Sequence, residues 1–426
     1  MDLLSLAIIV GGLFSYALIS GRLSGTIITG PLVFIIFGFV IGAGGFNIAK
    51  LDVGHSAIHL IAEFTLILVL FIDASRIDLK TVGRDHNLPA RMLIIGLPLT
   101  IVAGAIIASL LFPAFSFWEA ALLAALLAPT DAALGQAVLS AKVVPARIRQ
   151  AINIESGLND GIALPAVLLF AALASAEHGT SDAGEWFRFA AMQLTLGPLT
   201  GVVVGFAGAR LLDSAAEHRW ANTSFQGIGI LSLAVLTYVA AELIGGNGFI
   251  AAFVGGMVFG NTVRRPCTFL FEFMETEGQL LMLITFLIFG AALLPQGIAH
   301  ANPAFIAYAV LSLTVIRMIP TALSLAGAGL RLPTQLFLGW FGPRGLASIL
   351  FVLLILDKSE IIHREALLSI TIITVALSAL LHGVSAAPLA KRYGRIASRM
   401  GECEENKPVA EMPLRAGRAV IDNDRN

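Results

Sequence analysis

The chain has 426 residues, 57% hydrophobic and 13% charged, with a mean hydropathy of +0.87 and a formal net charge of −1. Soluble domains carry about 25% charged residues, so this chain could not cover its own surface in water; a cytosolic enzyme, a disordered chain and a secreted disulfide scaffold are excluded. The near-neutral balance gives no basic footprint for nucleic acid, and Cys267 and Cys403 offer neither a disulfide framework nor metal-ligand spacing. What remains is a polytopic membrane protein, a class whose helices tolerate the 42 glycines and 17 prolines present.

A membrane helix needs roughly 20 mostly apolar residues. That ruler predicts thirteen spans, at about 3–20, 28–46, 56–74, 90–112, 117–140, 149–176, 187–211, 225–244, 247–262, 278–296, 303–328, 334–356 and 365–388. The first is no cleavable signal, because Asp2 stands where basic residues belong and no small-x-small site follows. The transmembrane domain is expected over 1–390, with 391–426 a polar, mostly disordered cytoplasmic tail. Seventeen of the 27 Lys and Arg residues fall on one set of loops, and only Lys50, Arg188, Lys358 and Arg364 on the opposite set. The positive-inside rule therefore predicts an outer N-terminus and a cytoplasmic C-terminus.

Charge at bilayer depth costs about 2.5–3.5 kcal/mol per residue, so each instance requires a reason. Asp131, Asp160, Arg317 and Arg344 come from four spans and fall about 15 Å from the inner surface at ~1.5 Å per residue. Two acids and two bases in one layer point to a shared polar site. Span 5 is interrupted at Ala128-Pro129-Thr130-Asp131 and span 12 at Gly342-Pro343-Arg344-Gly345. Breaks at matching places in two six-helix halves, spans 1–6 and 8–13, are the pattern of inverted-repeat transporters. Asp131 could offset one pair of helix ends and Arg344 the other, with the Thr130 hydroxyl supplying an oxygen ligand. In span 6, Ser156 and Asp160 stack on one face, and Glu155 and Asn159 on the next. Such hard-oxygen donors suit alkali cations. A carboxylate there holds a proton or a cation but not both favourably, which suffices for exchange if the site faces each side in turn.

Ala-Pro-Thr-Asp, Glu-Ser-x-x-Asn-Asp and Gly-x-Arg-Gly, in that order over thirteen spans, resemble the monovalent cation–proton antiporter family, specifically its sodium/proton exchanger branch, over about residues 5–390. The resemblance implies an all-α fold with inverted repeats of six helices, a dimerisation part, and a core part in which broken helices 5 and 12 cross. It assigns Asp160 as the group alternately protonated and cation-bound, with Thr130, Asp131 and Ser156 around it. Asn159 stands where electrogenic relatives have a second Asp, which implies electroneutral one-for-one exchange. Glu155 matches a glutamate paired with a membrane arginine, Arg317 ahead of Arg344, and Asp73 matches an acid near the cation in some members. Gly157 inside the Asn-Asp motif and Ala132 after Asp131, where proline is common, are departures that bear on cation preference.

The expected function is thus a secondary transporter, not an enzyme, that exchanges Na⁺, or alternatively Li⁺ or K⁺, for H⁺ across the plasma (inner) membrane in pH homeostasis, as a homodimer and without a cofactor. Asp131 also suits helix-end compensation, and Glu155, Arg317 and Arg344 suit electrostatic scaffolding. An intramembrane aspartyl protease would place two acids similarly, but its Gly-x-Gly-Asp pattern is missing; a channel would show single-channel currents. His55, His59 and Glu63 have zinc-like i, i+4, i+8 spacing but lack a fourth ligand, so no metal site is expected. Glu242, before Gly245-Gly246, reads as an interfacial acid, and no nucleotide-binding motif occurs.

Overall fold

The structure, a computed structural model, describes residues 3–23, 26–49, 56–79, 87–177, 183–263, 268–358, 361–401 and 403–409. Among the described residues all regular structure is helical, and helix occupies each of the thirteen predicted spans. In chain order these are α1 (Leu3–Leu23), α2 (Gly30–Ile41), α3 (Ser56–Ser75), α4 (Asn87–Leu111) and α5, in two pieces (Phe117–Leu126 and Gln136–Leu139). Then follow α6 (Ala146–Ala176), α7 (Ala183–Glu217), α8 (Thr223–Leu243), α9 (Gly248–Thr262) and α10 (Thr268–Ile288, prolonged through a π-helical turn to Ala299). Last come α11 (Pro303–Ser324), α12, also in two pieces (Leu332–Trp340 and Leu346–Lys358), and α13 (Arg364–Ala397). Among the described residues eight helices are long and apolar enough to cross a membrane unaided.

Helix starts follow local chemistry. Ser116 and Glu119 close a capping box at the head of α5. Asn222, Asn247 and Asn302 each accept a backbone N–H at the heads of α8, α9 and α11. Prolines 165, 198, 320 and 388 all lie inside unbroken helix, so proline alone does not interrupt a span here. Helix α11 bends at Thr314, whose backbone (φ −113°, ψ −92°) leaves the helical region. Helix α2 stops at Ile41, short of the predicted 46, because residues 42–49 fold back in turns around Gly42, Gly44 and Gly45.

The helices form two groups. In one, α3, α7, α8 and α9 pack together with α2 and α10, and α1 leans on α2 through Gly12 against the Phe37 ring and Tyr16 edge-on to Phe34. In the other, three consecutive helices from each half, α4–α5–α6 and α11–α12–α13, pack around the two interruptions. The groups meet where α3, α7 and α9 touch α6, where α3 touches the second piece of α12, and where the last turn of α10 touches α13. Outward faces carry exposed aliphatic and aromatic side chains such as Leu3, Phe14, Ile94, Leu110, Leu211 and Leu243, the surface that lipid covers. At the C-terminal end the structure departs from the expected polar tail: α13 continues to Ala397, and a single helical turn at Glu404–Asn406 packs back on the bundle. The rest of that predicted tail, 410–426, lies outside the described residues, as do Lys50, His55, Lys80, Arg84, Arg264, Arg265 and Cys267.

Candidate functional site

The interruptions of α5 and α12 lie against each other, and each supplies what the other lacks. A broken helix exposes backbone N–H groups at one end and carbonyls at the other, a combination that lipid cannot satisfy. The Asp131 N–H donates to the Pro343 carbonyl at 2.7 Å. The Asp131 carboxylate then accepts from the Ala133 N–H (2.8 Å) and from the Leu346 N–H (2.9 Å) at the head of the second piece of α12. Arg344 does the converse: its guanidinium donates to the Ala128 carbonyl and to that of Pro129 (3.2 Å), covering the tail of the first piece of α5, and reaches the Ser312 carbonyl of α11 at 3.5 Å. Two neighbouring hydroxyls complete the crossing. Ser348 donates to the Leu126 carbonyl at 2.7 Å, and the Arg344 N–H donates to Ser378 Oγ at 2.7 Å. Asp131 and Arg344 thus serve as charged caps for helix ends of opposite sign. Gly345 must be glycine because a Cβ there would overlap the Asp131 carboxylate.

Beside the crossing stands a buried ion pair. Arg317, on α11 just past the Thr314 bend, donates from both terminal nitrogens to Glu155, at 2.9 and 3.0 Å, and each residue is only 1% exposed. The partner of Glu155 is therefore Arg317 and not Arg344. The two-pronged geometry is the strong form of this interaction. Gly342 leaves room for the arginine, since a Cβ there would strike the Arg317 guanidinium.

The Thr130 hydroxyl links this pair to the rest of α6. It lies 3.3 Å from Glu155 Oε2, 3.1 Å from Ser156 Oγ and 2.5 Å from Asn159 Nδ2, which donates to it. The other amide atom, Asn159 Oδ1, is buried and has no hydrogen-bond partner among the described residues. Asp160 follows on the same helix, 5% exposed, one turn from Ser156 and on its face. Asp73, 7% exposed, is at the end of α3, whose backbone there passes Gly157 of α6. The layer thus brings Thr130, Glu155, Ser156, Asn159 and Arg317 into one connected group. It places Asp160 and Asp73 beside that group and commits Asp131 and Arg344 to the helix ends.

Sequence reasoning missed Ser348 and Ser378. Each is a hydroxyl in an apolar span, a weak signal, because most such groups simply bond to their own helix, as Thr371 and Thr374 do here. Away from the layer, Glu63 accepts from the Tyr238 hydroxyl, and Glu242 accepts from the Gly248 N–H at 2.8 Å. Among the described residues no group of three or more His, Cys, Asp or Glu side chains is placed to hold a metal ion.

Comparison with known proteins gives a consistent result. The family model described as the transmembrane sodium/hydrogen exchanger matches residues 6–392. The chain is 24% identical over 425 residues to the K(+)/H(+) antiporter NhaP of Alkalimonas amylolytica, covering 98% of this chain and 71% of that one. It is 25% identical over 324 residues to the K(+)/H(+) antiporter NhaP2 of Shewanella oneidensis, covering 75% of this chain and 55% of the relative, so the chain spans little more than half of that protein. The solved structure of the sodium proton antiporter MjNhaP1 from Methanocaldococcus jannaschii at pH 8 superposes with a TM-score of 0.74 at 18% identity, over 92% of this chain and 97% of that one. This last likeness speaks for the fold.

Proposed function

Because the chain belongs to the sodium/hydrogen exchanger family, we propose that this multi-pass membrane protein exchanges Na⁺ for H⁺ by alternating access, with Asp160 carrying either ion. The supporting observation is the division of labour among the acids at the crossing. Asp131 is engaged by two backbone N–H groups and Glu155 by Arg317, which suits both to holding the fold, while Asp160 follows Asn159 on the face of Ser156, where the resemblance puts the carrier. Around it, Thr130 and Ser156 hydroxyls and the Asn159 carbonyl oxygen are hard-oxygen donors of the kind a dehydrated alkali cation requires.

The same division supports electroneutral exchange. Glu155 is neutralised by Arg317, and beside Asp160 stands the uncharged Asn159 where electrogenic relatives have a second carboxylate. The proton-loaded and sodium-loaded states then carry equal charge, and each cycle moves one of each. A K⁺/H⁺ exchange is the second reading, favoured by the similarity to two proteins described as K(+)/H(+) antiporters. Asp73 would contribute to the cation's outer surroundings. The loop charges favour an orientation with the N-terminus outside and the C-terminus cytoplasmic, and membership of the family supports a plasma (inner) membrane location, a homodimer and a place in pH homeostasis.

In proteoliposomes, an imposed pH gradient should drive Na⁺ uptake that is unaffected by clamping the membrane potential, and Asp160→Asn should abolish it. A variant that exchanged normally would remove Asp160 from the carrier role. Repeating the assay with Li⁺ and K⁺ ranks the cations.

A further inference from the structure

The α12 interruption leaves residues 341–345 without helix between Trp340 and Leu346, and α13 holds both ends of that gap from one face. Ser378, His382 and Ser385 follow at i, i+4 and i+7, so they line a single stripe of the helix. The Arg344 N–H donates to Ser378 Oγ at 2.7 Å. Ser378 Oγ lies 3.2 Å from His382 Nδ1, and His382 Nε2 lies 2.9 Å from the carbonyl of Trp340, the last residue of the first piece of α12. Ser385 Oγ then accepts from the Trp340 indole N–H at 3.0 Å. Ser378 and His382 are both wholly buried.

The imidazole meets a hydroxyl and two carbonyls, since His382 Nδ1 also lies 3.0 Å from the Ser378 carbonyl of its own helix. With the proton on Nε2, the imidazole donates to the Trp340 carbonyl and accepts the Ser378 hydroxyl proton at Nδ1, while Ser378 Oγ accepts from Arg344. A charged imidazole would put a third cation in a layer that already holds Arg317 and Arg344. The neutral ring therefore closes a hydrogen-bonded loop from residue 340 to residue 344 across a gap that no helical bond spans. The side chain whose backbone is gripped there, Arg344, is the one that caps Ala128 and Pro129.

We propose that His382 is a positioning residue for exchange: a neutral imidazole in α13 that sets the span of the α12 interruption, and through Arg344 holds the crossing in register. The inference rests on the proposed exchange activity, but one of its readouts does not. The experiment compares wild type, His382→Ala, His382→Gln and Ser378→Ala, each reconstituted and tested for Na⁺-driven exchange, with deuterium uptake measured for the peptide covering 338–350. His382→Ala should lower the maximal rate by about tenfold or more while the Na⁺ KM stays within about threefold, because the cation's oxygen donors lie on other helices. It should also raise deuterium uptake at 338–350. His382→Gln, whose amide can still donate to Trp340, should restore at least about half of both losses. Should His382→Ala fail to fold, Ser378→Ala decides, because it removes only the bridging hydroxyl. Wild-type rate and uptake in a folded Ser378→Ala or His382→Ala variant would overturn the proposal. Loss of all exchange in wild type would instead refute the transport reading, and the deuterium uptake would still test the relay.

Discussion

The two helix groups are held together by opposite means. Where α9 passes α3, Gly256 and Gly260 sit directly on the backbone carbonyls of Phe71 and Ser75, so that any Cβ would overlap them. On the other side, Gly201 and Gly205 of α7 meet the backbone at Ala251 and Gly255 of α9 in the same way. Helices packed through glycine approach closely and gain by dispersion over a long seam, the usual solution where lipid removes the hydrophobic drive between helices. Around the crossing, contact is made by charged and hydroxylic side chains reaching the backbone of another helix: Asp131 to Leu346, Arg344 to Ala128, Ser348 to Leu126. A glycine seam has one good register. A set of charge-to-backbone bonds has several acceptors within reach, as Arg344 shows with three carbonyls. The first group is therefore joined backbone to backbone, and the second through side chains that reach from one helix to the main chain of another.

The largest effect should come from halving the buried ion pair. Arg317→Leu leaves Glu155 charged and 1% exposed, an arrangement that costs about 3–5 kcal/mol. The double variant Glu155→Leu with Arg317→Leu removes both charges and should recover most of that loss in thermal melts of the purified protein. Equal melting of single and double variants would show that the pair does not hold the group together. In the glycine seam, Gly256→Leu should cost about 3 kcal/mol, the upper end for overpacking, since the obstacle is a main-chain oxygen that cannot swing aside. No second substitution on α3 should rescue it. Recovery there would mean the seam is as adaptable as the crossing.

Asp131→Asn tests the crossing more gently. Asparagine keeps one acceptor and turns its NH₂ toward the other N–H, so one of the bonds from Ala133 and Leu346 is lost, at about 1–3 kcal/mol. Melting and exchange rate should fall together while the Na⁺ KM holds. A raised KM with unchanged melting would place Asp131 among the cation's ligands instead.

How far the sequence announced all this follows from which signals are local. Thirteen apolar runs, the paired interruptions and the layer of ionisable residues depend on chain order and depth, and they were legible. That Pro129 and Pro343 interrupt their helices while four other prolines do not is decided by partners far along the chain, since only at the crossing do Asp131 and Arg344 wait to satisfy the freed groups. The bend at Thr314 that sets Arg317 toward Glu155 has no breaker residue to betray it. His382 is not singled out by the sequence reading, because its meaning depends on Trp340 and Ser378 lying beside it. Residues 403–409 have the composition of a polar tail, and the anchors that Glu404 and Glu405 find on Arg147, Arg331 and Thr334 lie too far along the chain for composition to show.

That segment supplies the smallest effect. Glu404 pairs with Arg147 at 2.7 Å and with Lys407, while Glu405, wholly buried, accepts from the Arg331 N–H (2.8 Å) and the Thr334 hydroxyl (3.0 Å) at the head of α12. Burial alone would raise the Glu405 pKa, but these hydrogen bonds outweigh it and hold the carboxyl below its ordinary value of 4.5. A depressed carboxylate stabilises the folded state above the unfolded pKa, and that contribution is lost as pH falls through the folded value. Melting of wild type should therefore drop on acidification below 4.5. Glu405→Gln, which keeps the acceptor but not its charge, should be less stable near neutrality by about 1 kcal/mol and flatter in that acid range. Because Arg331 and Thr334 stand at the head of α12, which carries one of the two interruptions, the exchange rate of the variant is informative too. An altered exchange rate at unchanged Na⁺ KM would mean that the segment restrains the crossing, and an unchanged rate would confine it to stabilising the end of the bundle.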